Sequence, residues 1–439
     1  MSFRNHWSIG AMRVRSAGWQ LRCAALVFAL VAVGACNSLL DVENPGSVPD
    51  ASLSDPALAP ALAAAALQTL QCGAMQYAAT AGMLSGEYLS ANGFVDNHPW
   101  EWRGVVEIKA APGSCTYGRG TTAMGFYTPL QQARFQLDDT FARLEKFTDS
   151  QVASRASLMA QMRVYAGYAY LLLGEGMCEM TVDNGPKMTR ADVLAVADAR
   201  FTDAMARATA INDQSILNMA RVGRARARLG LNKLPEAAAD AILVPAGFVR
   251  NIEFTEGGAA TRENRIYNLT IRNDYLSVSA PYRNLTVNGV TGNVPDPRVK
   301  VKDAGKKAND GVTPLWQQQK FIAQLGGTPI PLASWNEAQL IYAEAVGGQQ
   351  GLDAINRVRT ANGVPALTDP APPTGQAFTN LVLEERRRQL FSEGQRYSDM
   401  LRYNLPFVKG LTLRGNTYSD LTCVPLPDVE TRNNPNFKP

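Results

Sequence analysis

Apolar positions recur at i, i+3, i+4 and i+7 through much of the chain, and this period predicts helices. The first runs from Pro56 to roughly Tyr88, opened by Asp55-Pro56 as N-cap and first-turn proline, with Gly73, Gly82 and Gly86 as expected breaks. From Ala91 to Gly125 the period fails; Gly, Pro, Asn and aromatics mix, which predicts a long loop. Helical periodicity returns at 128–147, 150–174, 189–209, 214–229 and 234–243. Between Val244 and Leu332, Pro, Gly and Asn accumulate. The β-branched alternation of Tyr267–Ile271 and Tyr282–Val287 there predicts two short strands, a candidate hairpin.

The last periodic stretch, Leu383 to Tyr403, is the most highly charged. Leu383, Leu390, Phe391, Met400 and Leu401 keep one face apolar, while Glu384 can reach Arg387 or Arg388, Glu385 can reach Arg388, and Asp399 can reach Arg396 or Arg402. Gly394 predicts two helices meeting at a bend. On periodicity alone this is a solvated, salt-bridged face. Two earlier segments, Tyr165–Gly174 and Ala220–Ala238, carry small residues on one side and a Leu-Gly before the next helix. They resemble tetratricopeptide helix pairs, and antiparallel pairs packed through small residues give the same pattern.

The N-terminus stands apart. Arg4, Arg13, Arg15 and Arg22 precede an apolar run, Ala24 to Val33, which ends in Gly34-Ala35-Cys36. This is the layout of a secretory signal, too short for a mature bilayer span of about 20 residues. By resemblance to bacterial lipoproteins, Cys36 becomes the lipidated first residue. Asn37 in place of Asp then favours the outer membrane. Loss of residues 1–35 lowers Lys+Arg from 43 to 39 against 39 Asp+Glu. A neutral chain offers no basic stripe, so nucleic acid is excluded as a partner. Cys72, Cys115, Cys178 and Cys423 remain, an even number suited to an oxidising compartment. Three pairings are open; Cys72–Cys115 with Cys178–Cys423 is favoured over the other two and over free thiols.

Residues Glu385-Arg386, Leu390, Glu393-Gly394, Arg396, Asp399, Leu401-Arg402 and Tyr403 resemble the C-terminal signature of SusD-like (SusD/RagB) proteins, with Gln389 where that family usually has an acid. Similar pieces are Leu40–Pro45, Asp296-Pro297-Arg298, Trp335–Ala345, Ile355–Arg359 and the tail Val424–Pro427. The resemblance implies a nutrient-binding outer-membrane lipoprotein partnering a SusC-like TonB-dependent transporter. It also implies that the Arg/Glu pairs lock helices together.

Catalytic chemistry finds little footing. His98 is the one histidine beyond the leader, no nucleophile elbow, P-loop or zincin motif occurs, and no Cys/His spacing suggests a metal or cofactor. A two-carboxylate glycosidase is the one enzymatic alternative. Binding is favoured instead. Neutral sugars are held by aromatic faces and by amide, Arg and carboxylate groups. Loop 91–125 offers Asn97, Trp100, Trp102, Arg103 and Tyr117; an extended Trp100-Glu101-Trp102 would present both indoles on one face. The insert adds Tyr275, Tyr282 and Trp316. The expected molecule is mostly α: a tetratricopeptide-like helical-pair scaffold with a loop-rich insert containing short strands. Its parts are a signal (1–35), an extended linker (36–55) and one domain (56–439). Within that domain lie a helical scaffold (56–244), an insert (245–332) and C-terminal helices with a tail (333–439). The expected ligand is a glycan or other oligomeric nutrient. A periplasmic scaffold binding peptides or partner proteins is the alternative.

Overall fold

The computed structural model describes residues 50–110, 112–115, 124–257, 262–289, 292–368 and 371–437. The signal, Cys36 and Tyr117 lie outside the described residues. The description below concerns the unit Pro56–Pro439.

Helix α1 (Ala59–Leu84) is Ala-rich, and its second half, Cys72 to Leu84, is buried on every face. That accounts for its lack of a polar stripe: a helix apolar all round is one that is covered all round. It ends in strand β1 (Tyr88–Ser90). The predicted loop beyond holds two short helices, α2 (His98–Trp102) and α3 (Val105–Ala110). Next come α4 (Tyr127–Lys146) and α5 (Arg155–Gly176), the ribbon β2 (Glu179–Met180) with β3 (Met188–Thr189), then α6 (Arg190–Ala210), α7 (Gln214–Gly230) and α8 (Leu234–Ala241). The caps follow the sequence: Thr189 and Asp192 form a reciprocal capping box on α6, and Asp213 accepts the Ile216 amide on α7.

The small residues of the helix pairs are packing devices. Gly167 on α5 and Gly223 on α7 both lie against the Phe201 ring of α6, with no room for a Cβ at either position. Gly223→Ala therefore overpacks a closed three-helix contact. We expect a loss of about 1–3 kcal/mol in urea denaturation; Gly363→Ala, in open surroundings but at φ +71°, should lose about 1–2 kcal/mol from backbone strain alone.

The insert opens with β4 (Val249–Ile252) and a short helical turn α9 (Arg265–Tyr267), continued by a π turn at Asn268–Arg272. Strands β5 (Leu276–Val278), β6 (Thr286–Gly289), β7 (Gly292–Pro295), β8 (Val301–Lys307), β9 (Pro314–Gln318) and β10 (Ile330–Ser334) follow. All pair antiparallel as two-stranded ribbons: β1 with β5, β4 with β10, β6 with β7 and β8 with β9. The expected hairpin of 267–271 with 282–287 is corrected. Asn264 caps a helical turn by accepting the Tyr267 amide, and Thr286–Gly289 pairs with β7 instead.

The chain closes with α10 (Trp335–Val346), α11 (Gly348–Ala361), α12 (Gly375–Gln389), α13 (Gln395–Arg402) and α14 (Asp428–Asn433). Gly394, at φ +78°, makes the bend between α12 and α13 and sits against Ala78 of α1. The charges around it are largely interior. Glu385 receives Arg298 and Arg359 at 2.5 and 2.6 Å, Arg386 donates to Asp399 at 2.9 Å, and Arg402 bridges Glu344 and Asp399. The expected local reach of Glu385 to Arg388 is replaced by these distant partners; Glu384 takes Arg387 and Arg388 as its spacing predicts. Disulfides join Cys72 to Cys115 and Cys178 to Cys423, fastening α1 to the following loop and the tail to the end of α5.

Candidate functional site

Three loop segments far apart in sequence converge, over the end of α1 and strand β1, on one cleft of about 420 Å³. From the first loop come Glu101 and Arg103; from the insert Ala280, Pro281, Arg283 and Pro314; from the tail Val408, Leu411, Leu413 and Tyr418. The tail residues Val408, Leu411 and Leu413 are 45, 68 and 58% exposed, an unusual cluster of open aliphatic side chains.

Local sequence explains each wall. Pro99 lies in the first turn of α2, and Arg103 ends it in the left-handed region at φ +60°, turning its side chain inward. The Arg103 guanidinium donates to the Val408 and Ser419 carbonyls at 2.7 Å each and lies over the Phe407 and Tyr418 rings. It therefore fastens the tail wall rather than waiting for a ligand. Glu101 accepts the Ser90 amide at 2.8 Å and the Tyr418 hydroxyl at 3.0 Å, and burial raises its pKa despite those bonds. Behind it Arg414 donates to the Ser90 and Asn92 carbonyls and to Asp310. Arg414 also donates to His98 Nδ1 at 2.6 Å. Burial first, and the Arg414 charge second, hold that imidazole down near 4, so His98 is a neutral acceptor at neutral pH. On the insert side Arg283 lies over the Trp316 ring at 4.9 Å, a pairing that leaves a flat cation–aromatic edge at the rim.

The aromatic platform expected from the sequence is mostly interior. Trp100, Arg103, Asn97 and Tyr282 are buried. Trp100 packs near Phe126, and Tyr282 stacks on Phe391 at 5.2 Å under the Arg387 guanidinium. The reason at 100–102 is geometric: residues i and i+2 share a face in a strand but point to nearly opposite sides of a helix, and α2 is a helix. Trp102 folds across Gly104, and it, Tyr275 and Trp316 are half-buried, Tyr275 edge-on to Phe94. Of the expected residues, Arg103 lines the cleft and Trp316 abuts it through Arg283; Trp102 and Tyr275 line no part of it. Sequence reasoning missed Glu101, Arg283 and the tail loop. The alternation Leu411…Leu413 between Gly410 and Gly415, shortly after Val408, was the available signal. Among the described residues no group of His, Cys, Asp or Glu could hold a metal ion.

Beneath the cleft, Glu87 is fully buried and neither carboxyl oxygen has a well-formed hydrogen bond. Burial raises it to about 7, against the pull of the Ser392 amide and the Arg396 charge. Glu337, also raised by burial to about 7 in spite of Arg226, acts with the same sign. A carboxyl whose folded pKa exceeds its unfolded value stabilises fully below the unfolded value, and that stability is lost as pH rises through the folded one. Stability should therefore fall between pH 5 and 8. Glu87→Gln should match wild type at pH 5 and exceed it by about 2–3 kcal/mol at pH 8 in urea denaturation. Asp399 works oppositely: burial raises it, but Arg386 and Arg402 outweigh this and hold it at about 2, so its contribution is lost only as pH falls from 3.8 toward 2.

Paired antiparallel helices carrying a cleft built from loops define a helical scaffold with an appended loop-rich face. Residues 330–436 match the SusD family in sequence. No curated protein matches the chain in sequence. Solved structures share the fold. A SusD superfamily protein from Parabacteroides distasonis ATCC 8503 is 14% identical with a TM-score of 0.61, over 86% of this chain and 98% of that one. A SusD superfamily protein from Bacteroides fragilis is 13% identical with a TM-score of 0.62, over 88% and 99%. A SusD-like carbohydrate binding protein from Bacteroides vulgatus ATCC 8482 is 16% identical with a TM-score of 0.59, over 82% and 85%. The chain is thus similar to the SusD family in the sequence of residues 330–436, and to solved SusD superfamily structures in fold over 86% and 88% of its length.

Proposed function

We propose that the protein binds a glycan or related oligomeric nutrient in the cleft between the first loop, the insert and the tail, without altering it. It would deliver that ligand to a SusC-like TonB-dependent outer-membrane transporter while tethered through a lipid on Cys36. The observation that carries the binding role is the cleft itself: open aliphatic side chains at Val408, Leu411 and Leu413 face a rim of Arg283 stacked on Trp316. Apolar surface to cover sugar C–H faces, beside a planar cation able to serve hydroxyls, is a combination suited to a neutral glycan. The likeness to a carbohydrate binding protein from Bacteroides vulgatus supports the ligand class, and the SusD family match supports the transporter partnership and the surface lipoprotein location.

The test is a glycan array followed by calorimetry on the best ligand. Leu411→Glu and Arg283→Ala, both at accessible positions, should each weaken binding about tenfold, near 1.4 kcal/mol, with melting temperatures unchanged. Unaltered affinity in both variants removes the cleft as the site. Protease treatment of intact cells tests the location: cleavage supports a surface lid, and protection points to a periplasmic scaffold.

A further inference from the structure

Most of the cleft wall is apolar. Met83 comes from the end of α1, Leu89 from β1, Pro314 from the insert, and Val408, Leu411 and Leu413 from the tail. The polar groups between them already serve the fold. Glu101 accepts the Ser90 amide and the Tyr418 hydroxyl, and the Arg103 guanidinium donates to the Val408 and Ser419 carbonyls. Ser279 donates its hydroxyl proton to the Gly86 carbonyl, and the Thr412 hydroxyl accepts the Arg414 and Asn416 amides at 3.3 and 3.1 Å. Hydroxyls pressed against the apolar part of this wall would lose water and gain no partner. That part fits a hydrocarbon surface.

One charge in the lining is uncommitted. Arg283 donates from Nε to the Val278 carbonyl at 2.8 Å while its guanidinium lies over Trp316. Its two terminal nitrogens make no hydrogen bond among the described residues, and unlike Arg103 Nε they are open to solvent. Burial lowers its pKa, and the Asp303 charge opposes this without forming an ion pair. A half-buried cation lacking a counter-ion has lost hydration that an arriving anion replaces. The charged groups of the lining, Arg103 and Arg283 against Glu101, leave an excess of one cation. A cationic ligand is therefore disfavoured and an anionic one favoured.

We propose that the cleft accepts a second class of ligand, a small carboxylate on an apolar body. Its ring or chain lies against Met83, Leu411 and Leu413, and its carboxylate takes the two open nitrogens of Arg283. With Nε occupied, those two remain as an end-on pair, matched to the two oxygens of a carboxylate. Small-molecule sites run from about 300 to 1,000 Å³; at about 420 Å³ the cleft holds one ring with a short chain. The proposal rests on the cleft being a ligand site, not on the ligand there being a glycan.

Calorimetry of the full folded protein with phenylpropionate, with its neutral counterpart phenylpropanol, with phenylpropylamine as the cation and with acetate tests it. Phenylpropionate should bind with a dissociation constant of roughly 1 mM or tighter, and the alcohol and amine at least about tenfold more weakly. Acetate, which has the charge without the body, should not bind measurably. Arg283→Gln should erase the preference, leaving the acid no tighter than the alcohol, and Arg283→Lys should restore part of it by keeping the charge. Leu413→Gln, at an exposed position, should weaken acid and alcohol alike, about fivefold. The proposal is overturned if the acid does not bind, if the alcohol or the amine binds as tightly, or if the preference for the acid survives Arg283→Gln. An oligosaccharide that binds where no acid does overturns this proposal and leaves the glycan reading standing. An acid that binds with its charge preference where no oligosaccharide does supports this proposal and removes the glycan reading.

Discussion

Glu385→Ala should destabilise the protein by about 3–5 kcal/mol in urea denaturation at pH 7, the range seen when one partner of a buried ion pair is removed. Glu385 is 3% exposed and stands between two guanidinium groups, Arg298 at 2.5 Å and Arg359 at 2.6 Å. Taking the carboxylate away leaves two buried cations facing one another across an empty site. Arg298 keeps Asp296, which grips it through both carboxyl oxygens. Arg359 keeps the Pro365 carbonyl, at 2.8 Å. Because Arg298 belongs to the insert, Arg359 to α11 and Glu385 to α12, the change should loosen the insert selectively. Hydrogen exchange should rise in 285–301 before it rises in α5–α7. Exchange that rises uniformly, or a stability loss under about 1 kcal/mol, would show that the triad is not the joint described here.

Removing the Cys178–Cys423 bridge as Cys178→Ala/Cys423→Ala should lower stability by roughly 5 kcal/mol in the loop-entropy account. The bridge closes 245 residues of sequence, so its loss frees a very large loop in the unfolded chain. The native tail is held by other contacts as well: the Cys178 amide donates to the Val424 carbonyl at 2.8 Å, and Val424 and Leu426 are buried. The folded structure should therefore survive with its melting temperature lowered, and binding in the cleft should be retained at low temperature. For Cys72–Cys115, with a separation of 43, the same account gives roughly 4 kcal/mol. An order of effects opposite to that of loop length would mean that native-state strain or residual structure, not chain entropy, governs both.

How far the sequence is legible depends on the range over which each signal acts. Helices α4 to α7 are readable because a 3.6-residue period and local caps such as Thr189 and Asp213 lie within the segment they govern. Glu384 is readable for the same reason, since its partners stand three and four positions away. Glu385 is not: adjacent in sequence and alike in chemistry, it turns inward to residues 87 and 26 positions away. The segment Tyr267–Ile271 has strand composition, but Asn264 offers a cap and Ile266 and Leu269 are buried, so tertiary context overrides β-branching. At Trp100-Glu101-Trp102 a local signal was present and outweighed: Asn97 followed by Pro99 is a helix start, and reading it would have removed the expected two-indole face. The cleft itself is the least legible part, because no short window contains two of its walls.

The clamp that completes the cleft runs from Arg414 to Ser90, 324 positions apart, and this separation has a consequence for when the protein becomes competent. Contacts of such range form late, after the nearer helices have already paired. A chain still lacking its final few dozen residues would own a finished helical body and no receptacle. The cleft is thus the part of the structure that forms last.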